Sequence, residues 1–449
     1  MAQAGRGQFQ SRFGFVMAAT GSAVGLGNIW GFPTQTAENG GAAFVLVYLL
    51  LAFCLAYPVL LAEFSIGRHA HANPIDALLR LSQGRTSRIL AWITGCWTLL
   101  LVSSILAFYA IVGGWIVGFA LELPVRQLGL THSAQWLVEF GQLRNLTLTA
   151  AFLGLTAWIV TSGVRDGIER WCSRLMPALI IMLVLLIGYV ITLDGAGDGL
   201  RAYLVPESAL LLSPSLILSA LGQAFFSLSL GAGTMMIYAS YLPDDSHLPK
   251  LAALVTLSDV AVAVLAGLLI IPAMYVALHN GIEIYNAEGH LTGGDTLVFT
   301  VLPSLFDSIG TAGIWVGGVF FLLLLFAALT SSVSMLEPSV AMLVERAGLQ
   351  RRQSSLLVTA FVLIYSAIIV FNFDWLFGAV ISASTEYSQP LIGLLFCVFA
   401  GWIWHRDSLL RELQRGDPNI QQTMLWKIWP TYVKVVCPLV ILLIVWQSL

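Results

Sequence analysis

The stretch "GSAVGLGNIWGFP", residues 21–33, lies inside the first apolar run of the chain and contains four glycines, one asparagine, one proline and no charge. Glycine and proline are the poorest helix formers. A chain inside a bilayer has to satisfy every backbone N–H and C=O group internally, so an interrupted helix is tolerated there only beside polar groups. The stretch therefore predicts a helix that is broken in the middle of a membrane.

The composition is typical of a polytopic membrane protein. Of the 449 residues, 58% are hydrophobic and only 10% are charged, and the mean hydropathy is +0.86, far from the balance of a soluble domain. The five cysteines lie in or beside apolar runs without metal-ligand spacing, so we interpret them as small apolar residues. We expect one transmembrane domain over residues 1–449, with the lipid bilayer as a partner and no nucleic acid.

Apolar runs of about 20 residues, the length that crosses about 30 Å of hydrocarbon, recur along the whole chain. They predict an all-α polytopic membrane protein with eleven transmembrane helices. The predicted spans are 10–37, 41–67, 89–120, 146–163, 175–193, 214–240, 252–278, 311–343, 355–371, 376–404 and 428–447.

The basic residues predict the orientation, because Lys and Arg in short loops are retained on the cytoplasmic side. If the N-terminus is cytoplasmic, seventeen of them fall in cytoplasmic segments, while Arg126, Arg144 and Arg201 fall outside and Lys434 begins the last span. We therefore expect a multi-pass protein of the cell inner membrane with a cytoplasmic N-terminus and an extracytoplasmic C-terminus. The long outer segment 279–310 ends in an apolar stretch, which predicts a loop folded back over an external vestibule.

A second glycine-rich stretch, "SLSLGAG" at residues 227–233, lies inside the sixth predicted span, five spans after the first. Matched broken segments in two halves are typical of inverted-repeat secondary transporters with a midplane substrate site. Freed carbonyls there coordinate a cation, and a half-helix N-terminus receives a carboxylate. The alternative is that the glycines only let helices pack closely.

Three carboxylates, Glu63, Asp259 and Glu337, lie within or near the ends of apolar spans, where an ionised group is costly. We interpret Asp259, well inside its span, as an ion ligand. For Glu63 and Glu337 a hydrogen-bonded structural role is an equally good interpretation.

The eighth predicted span contains four hydroxyls within five residues. Isolated hydroxyls in helices usually bond back to a carbonyl one turn earlier. A group of four opposite a broken span favours ligands for a hard cation, which prefers oxygen. These residues are Thr330, Ser331, Ser332 and Ser334.

The stretches "GSAVGLGNIWGFP", "ENGGAAFVLVY", "QAFFSLSLGAGT" and "LTSSVSMLEP" resemble the neurotransmitter:sodium symporter family, in its bacterial eleven-span branch, and the resemblance covers essentially the whole chain. It implies the leucine-transporter fold: a five-plus-five inverted repeat (about 10–193 and 214–404) with broken helices 1 and 6, and an additional helix at about 428–447. It also implies sodium-driven uptake of amino acids or amines by alternating access, by a monomer or weak dimer.

Carried over position by position, the resemblance implies two sodium sites, a substrate site and an inner gate. The first sodium site would use the Ala23 carbonyl with Asn28, Ser227 and Asp259. The second would use the carbonyls of Gly21, Val24 and Ala327 with the hydroxyls of Thr330 and Ser331. The substrate would contact Ala23, Gly25, Leu26, Gly27, Ile105, Tyr109, Phe226, Ser227, Ser229, Ala232 and Met335. The inner gate would pair Arg6 with Glu345, next to Phe9 and Tyr241.

Three positions bear on the cargo and the ions. Gly25 replaces an aspartate that pairs with the amine in the family's monoamine carriers, so we expect an amino acid that brings its own carboxylate. Ala232 replaces a phenylalanine of the bacterial leucine carrier, which favours a neutral, bulky hydrophobic or aromatic side chain. A fixed carboxylate at Asp259 does the electrostatic work of a chloride ion, so we expect Na⁺, two ions by the resemblance, and no chloride; proton antiport stays open.

Other positions depart from the family pattern or stay open. The usual outer ion pair is missing, since Gly31 and Phe377 occupy its places in our alignment. Either Tyr109 packs with Phe226 to close the outer side, or an ion pair forms elsewhere, for example at Asp374. In the fifth span, Gly167 and Pro177 mark either an ordinary helix start or a segment that unwinds towards the second sodium site.

Two other classes of function compete with transport. An amino-acid sensor on the same fold would bind sodium and substrate without sustained transport. A membrane enzyme is disfavoured, because no intramembrane His/Asp/Ser or metal-binding set is present in the sequence.

Overall fold

The computed structural model describes residues 7–284, 291, 297–308 and 310–447, and the regular elements in these ranges are helices. The first half contains α1 (Arg12–Ala23), α2 (Gly27–Glu38), α3 (Ala42–Ala70), α4 (Pro74–Leu81), α5 (Arg85–Gln127), α6 (Thr131–Val138), α7 (Gln142–Thr161), α8 (Val164–Val190) and α9 (Ala196–Leu204).

The second half begins after a short 3₁₀ turn at Ser208–Leu210, and another such turn, Ile420–Gln422, precedes the last helix. Its helices are α10 (Pro214–Ser227), α11 (Thr234–Ala239), α12 (Leu248–His279), α13 (Leu297–Ser308), α14 (Thr311–Ala347), α15 (Arg351–Phe371), α16 (Phe373–Ile403), α17 (Arg406–Gln414) and α18 (Met424–Trp446).

In these ranges, nine helices are long and apolar enough to cross a membrane: α3, α5, α7, α8, α12, α14, α15, α16 and α18. The pair α1 and α2, bent by 57° at its break, adds a tenth span. The sequence predicts one span more, the sixth in order, over 214–240. There the chain forms two short helices, α10 and α11, of 14 and 6 residues. Both interrupted segments are thus the glycine-rich ones.

The first break follows directly from the local sequence. The helix α1 ends at Ala23 because Val24 takes an extended conformation, with φ −68° and ψ 109°, and helical structure resumes at Gly27. A Cβ atom on Gly25 would lie 2.7 Å from the Ser331 Oγ and 3.0 Å from the Tyr109 hydroxyl. The close approach of these neighbours is the reason that Gly25 needs to be glycine.

The second break spans residues 228–233, between α10 and α11. Gly231 and Gly233 lie in the left-handed region at φ 82° and 74°, and Ser229 does so at φ 52°, a conformation that costs a residue with a Cβ atom more than it costs glycine. The Gly231 N–H donates a 2.7 Å hydrogen bond to the Glu63 Oε1 atom. Glu63 therefore satisfies a backbone group that the break leaves without a helical partner.

The two breaks meet in the interior of the helix bundle. The long helix α14 packs against α5, α8 and α1, while α11 packs against α3. On the outer side, the Phe299 ring of α13 contacts Trp30 and Trp115 edge to face, with centroid distances of 5.8 and 5.6 Å. The helix α13, at the end of segment 279–310, therefore packs against the second half of the first broken span; the middle of that segment lies outside the described residues.

The helix α8 contains both residues of the predicted fifth-span motif. It runs without interruption from Val164 to Val190, with a π-helical turn at Val164–Glu169 and Pro177 inside the helix. In this conformation the segment is therefore wound. The Glu169 carboxylate accepts hydrogen bonds from the backbone N–H groups of Gln10 and Ser11 at 2.8 and 3.2 Å, so α8 fixes the start of α1.

The short helix α17 is anchored through buried charges. The Arg68 Nε atom donates a 2.7 Å hydrogen bond to Glu412, and the guanidinium also donates to the backbone carbonyls of Ser246 and Glu412. Burial alone would raise the pKa of the Glu412 carboxyl, but the hydrogen bond with His69 and the charge of Arg68 outweigh burial and hold that pKa below its ordinary value. The carboxylate of Glu412 is thus the stable form.

Candidate substrate and sodium site

Three predicted ligands form one buried group that joins both breaks to α12. The Asn28 Nδ2 atom donates to Ser227 Oγ at 2.9 Å and to Asp259 Oδ1 at 2.7 Å, and Ser227 Oγ donates to Asp259 Oδ2 at 2.8 Å. We name Asn28, Ser227 and Asp259 the carboxylate cluster. All three are almost fully buried, so a cation beside the carboxylate would be screened very little by water.

One residue next to the carboxylate cluster, Tyr48, was not predicted from the sequence. The buried Tyr48 hydroxyl donates to Ser227 Oγ at 3.2 Å. Tyr48 ends the quoted stretch "ENGGAAFVLVY", so the motif contained it, but nothing in its spacing indicated that it would face Ser227. The Ala23 residue, predicted to supply a carbonyl here, is the last residue of α1 and lines the adjoining cavity.

The second predicted ion site is also assembled. Ser331 Oγ donates to the carbonyls of Val24 and Gly21 at 2.9 and 3.2 Å, and Thr330 Oγ1 donates to the Ala327 carbonyl at 3.0 Å. We name these five residues the hydroxyl cluster. A Cβ atom on Gly21 would lie 2.9 Å from the Thr330 Cβ, so the glycine allows α1 and α14 to approach. Five neutral oxygens are a donor set that suits a hard cation of low charge.

A central cavity of about 40 Å³ lies between the two breaks. All eleven residues predicted to contact the substrate line it, and four further residues that sequence reasoning did not include complete its wall. The four are Phe108, Thr234, Ser331 and Gln389. Their positions on α5, α11, α14 and α16 have no common sequence pattern, and only the packing of these helices brings them together.

The Tyr109 hydroxyl faces the first break. It is buried and makes no well-directed hydrogen bond, although Ser331 and the Leu26 backbone lie close to it. A buried hydroxyl that can still donate a hydrogen bond, next to the freed backbone groups, suits an anionic group in the cavity. This arrangement suits the predicted role of Tyr109 towards a substrate carboxylate.

Phe226 divides the central cavity from a larger space on the outer side. This outer vestibule has a volume of about 410 Å³, and Phe108, Phe226 and Gln389 line both spaces. Phe226 is not fully enclosed, since 37% of this residue is exposed. A Cβ atom on Gly27 would lie 3.0 Å from the Phe226 ring, so the ring rests on the first break.

The positions predicted for the missing outer ion pair do not carry one. The Phe377 ring stacks on Phe373 at a centroid distance of 4.5 Å and packs against Trp115 at 5.8 Å. Gly31 faces Gln223, whose Nε2 atom donates to the Gly27 carbonyl at 2.9 Å. Asp374 forms no ion pair within the described part of the chain. Aromatic rings therefore surround Phe377, whereas Gly31 contacts the Gln223 amide.

The side of the bundle predicted to be cytoplasmic is closed by aromatic and ionic contacts. Phe9 packs edge to face on Phe15 and Tyr241, with centroid distances of 5.3 and 6.4 Å. The Tyr241 hydroxyl donates to Glu337 at 2.5 Å, and the Arg351 guanidinium binds both oxygens of this carboxylate, at 3.0 and 2.5 Å. The structure therefore gives Glu337 the ion-paired, structural role that was one of its two interpretations.

The predicted pair of Arg6 and Glu345 is described in part. The Glu345 Oε2 atom accepts hydrogen bonds from the Asn73 backbone and side chain at 2.8 and 2.9 Å. Arg6 lies outside the described residues. Glu345 is therefore fixed at the start of α4, on the cytoplasmic side of the bundle.

Comparison with known proteins agrees with this geometry. The profile of the sodium:neurotransmitter symporter family matches residues 6–138 and 126–449. The sodium-dependent transporter YhdH of Bacillus subtilis is 34% identical over 97% of this chain and 96% of its own length. A sodium-dependent transporter of Haemophilus influenzae is 31% identical over 98% of this chain and 97% of its own length.

The fold of a solved transporter is also similar. The crystal structure of MhsT in complex with L-phenylalanine aligns with a TM-score of 0.84 and 35% identity, covering 99% of this chain and 100% of that chain. The match supports the all-helical fold as that of a transporter. This chain belongs to the sodium:neurotransmitter symporter family and is a multi-pass membrane protein of sodium-coupled transport.

Proposed function

We propose that the protein imports a neutral, bulky hydrophobic or aromatic amino acid together with sodium, by alternating access and without chloride. The observation that carries the proposal is the position of the central cavity. Its wall contains both breaks and Ser227, a member of the carboxylate cluster. A substrate carboxylate bound there completes the coordination of a sodium ion at this cluster, so that neither binds well alone.

Two sodium sites follow from the donor sets. The first uses the carboxylate cluster with the Ala23 carbonyl, and the second uses the hydroxyl cluster. The second donor set is neutral, whereas the first contains Asp259 and receives the substrate carboxylate. Coupling of the substrate to the ion gradient therefore resides in the first site.

Chloride independence rests on Asp259. Its carboxylate accepts hydrogen bonds from Asn28 and Ser227 and is fully buried. A fixed negative charge beside the bound ion stabilises the ion without a mobile anion. Proton exchange at Asp259 is not required for this scheme.

The preference for an amino acid rests on the space around Gly25. A side chain there would collide with Ser331 and Tyr109, so the site has no room for the acidic side chain that pairs with an amine. Ala232 enlarges the side-chain end of the cavity. MhsT, the similar solved structure, was crystallised with L-phenylalanine, which is the class of ligand that we propose here.

We propose that the chain crosses the cell inner membrane eleven times, with α10 and α11 together forming the sixth span. The N-terminus is cytoplasmic and the C-terminus extracytoplasmic. The inverted repeat comprises about 10–193 and 214–404, followed by the helix at about 428–447. The protomer works as a monomer or weak dimer.

In the proposed cycle, sodium and substrate enter from the outer vestibule when the Phe226 ring moves aside, and they leave towards the cytoplasm when the inner gate opens. That gate comprises Arg6, Phe9, Tyr241 and Glu345. Two sodium ions supply about 1.4 kcal/mol each per tenfold gradient and about 2.3 kcal/mol each per 100 mV. The total of about 7 kcal/mol is sufficient for a substrate gradient of about 10⁵.

The test is uptake into sealed proteoliposomes after a thermal-stability screen of the twenty amino acids with and without sodium. We expect sodium to be needed for both stabilisation and accumulation, and chloride for neither. Sodium-dependent stabilisation without accumulation would favour the sensor instead. If no amino acid stabilised the protein in sodium, the site assignment would be wrong.

A further inference from the structure

Two polar side-chain atoms in the wall of the central cavity have no hydrogen-bond partner in the described structure. Thr234 Oγ1 and Gln389 Oε1 are both buried and unpartnered, and both residues line the cavity. The residues themselves are 0% and 2% exposed. Buried polar atoms are nearly always hydrogen-bonded, so each such exception needs an explanation.

The local structure explains why the Thr234 hydroxyl makes no hydrogen bond within its own helix. A threonine inside a helix bonds back to the carbonyl four residues earlier, but Thr234 is the first residue of α11. Four residues earlier lies Leu230, in the non-helical link of the second break. The break therefore leaves this hydroxyl free at the cavity wall.

Gln389 is held at the same link from the other side. A Cβ atom on Gly231 would lie 2.2 Å from the Gln389 backbone oxygen, so α16 packs directly on the link. The Gln389 side-chain amide offers a carbonyl acceptor and an NH₂ donor. Thr234 and Gln389 thus add hydrogen-bonding capacity to a cavity in which Ile105, Phe108 and Met335 are apolar.

The Tyr109 hydroxyl is a third unpartnered atom at this cavity, but it faces the freed backbone of the first break, where it suits the substrate carboxylate. Thr234 and Gln389 remain available to hydrogen-bond the side chain of the substrate. An apolar space with two polar groups in its wall matches a side chain that is apolar along its length and carries one polar atom.

We propose that Thr234 and Gln389 recognise a polar atom of the substrate side chain. The inference rests on the proposed function and narrows it: the preferred substrates are aromatic amino acids whose ring carries an N–H or O–H group, as indole and phenol do. Their all-hydrocarbon counterparts bind less well, because they leave both buried groups without a partner.

Matched pairs of ligands test this inference. Tyrosine and phenylalanine differ by one hydroxyl, and tryptophan differs from β-(3-benzothienyl)alanine by sulfur in place of the ring N–H. Each is used to compete with sodium-dependent uptake of a labelled amino acid that the wild-type protein accumulates. We expect the polar member of at least one pair to compete about tenfold better, which corresponds to about 1.4 kcal/mol.

Two conservative variants connect the preference to the residues. Thr234→Val keeps the shape and removes the hydroxyl, and Gln389→Met keeps the length and removes the amide. We expect the tenfold preference to fall to about threefold or less in at least one variant, with the apolar ligand binding as well as before. Thr149→Val is the control, since Thr149 is also buried and unpartnered but lies outside the cavity wall.

The outcomes separate this inference from the proposed function. Equal competition within both pairs in the wild-type protein would overturn the inference, and so would a full preference in both variants. Either result leaves sodium-coupled uptake intact. Absence of sodium-dependent uptake for every amino acid would overturn the proposed function and the inference together. The wild-type comparison decides the question even if a variant does not fold.

Discussion

Ser227, at the end of α10, donates a 2.8 Å hydrogen bond to the carboxylate of Asp259 in the middle of α12. The two residues are 32 positions apart, and both are buried. Asn28 from the first break binds both of them. A single carboxylate therefore holds together the two broken helices and the wall of the cavity between them.

The first prediction concerns this carboxylate. Asp259→Asn is isosteric, and the new amide still bonds Asn28 through its oxygen and Ser227 through its NH₂ group. We expect the fold to be retained but the sodium concentration for half-maximal uptake to rise about tenfold or more without chloride, because a charge-assisted interaction is lost. The measurement is uptake at varied sodium in chloride-free buffer. Normal uptake there would exclude the idea that Asp259 replaces the anion.

The second prediction concerns the hydroxyl cluster. Ser331→Ala removes the hydroxyl that faces the Val24 and Gly21 carbonyls, and we expect a sodium requirement about tenfold higher, as for the loss of one buried polar contact. Ser332→Ala is the matched control, because its hydroxyl bonds the Leu329 carbonyl and Thr156 instead. Equal sodium curves for the two variants would contradict the assignment of the second sodium site.

The third prediction concerns the ion pair on the cytoplasmic side. Arg351→Met leaves the fully buried Glu337 without its bidentate partner, and we expect a loss of about 3 kcal/mol of stability. Adding Glu337→Gln removes the uncompensated charge and restores most of the loss. Thermal unfolding in detergent measures both. If the single and double variants melted at the same temperature, the pair would have no electrostatic role in stability.

The fourth prediction concerns acid stability. The pKa of Glu412 is lower in the folded protein than its ordinary value, so the unfolded chain takes up a proton at higher pH than the folded one. The contribution of Glu412 to the free energy of unfolding is complete above the ordinary glutamate pKa of about 4.3. It is lost as the pH falls through the lower pKa of the folded protein. We expect the melting temperature to fall as the pH is lowered from about 5 towards 3.

Glu412→Gln removes this source of pH dependence, and the variant should have a flatter profile with a lower melting temperature at neutral pH. Asp407→Asn, an exposed carboxylate on the same helix α17, is the control and should follow the wild-type profile. An unchanged profile for Glu412→Gln would show that other groups govern acid unfolding.

Much of the fold could be read from the sequence because its signals are local. Runs of about 20 apolar residues mark the spans, and the glycines at 21–31 and 231–233 mark the two breaks. The length of the interrupted sixth segment could not be read in this way. Its apolar run is continuous in sequence, whereas the left-handed residues of the link divide it into a helix of 14 residues and one of 6.

Eight of the eleven predicted substrate contacts lie around one cavity because they belong to the motifs in or next to the two breaks, while Ile105, Tyr109 and Met335 reach it from α5 and α14. The partners that complete the site were not predictable in the same way. Tyr48 faces Ser227, Glu63 faces Gly231, and Arg351 faces Glu337. Each of these contacts depends on which face of one helix packs against another, and apolar periodicity in a membrane helix carries little of that information.

The sequence by itself determined the membrane character, the two breaks and the family motifs, since each depends on composition or on residues close together in the chain. Only the tertiary structure decided that Thr234 and Gln389 enter the cavity wall, that Phe226 borders both this cavity and the larger vestibule, and that Trp115 packs against Phe377. The physical reason is that these are contacts between helices distant in sequence, and the packing of large and small side chains across the whole bundle sets them.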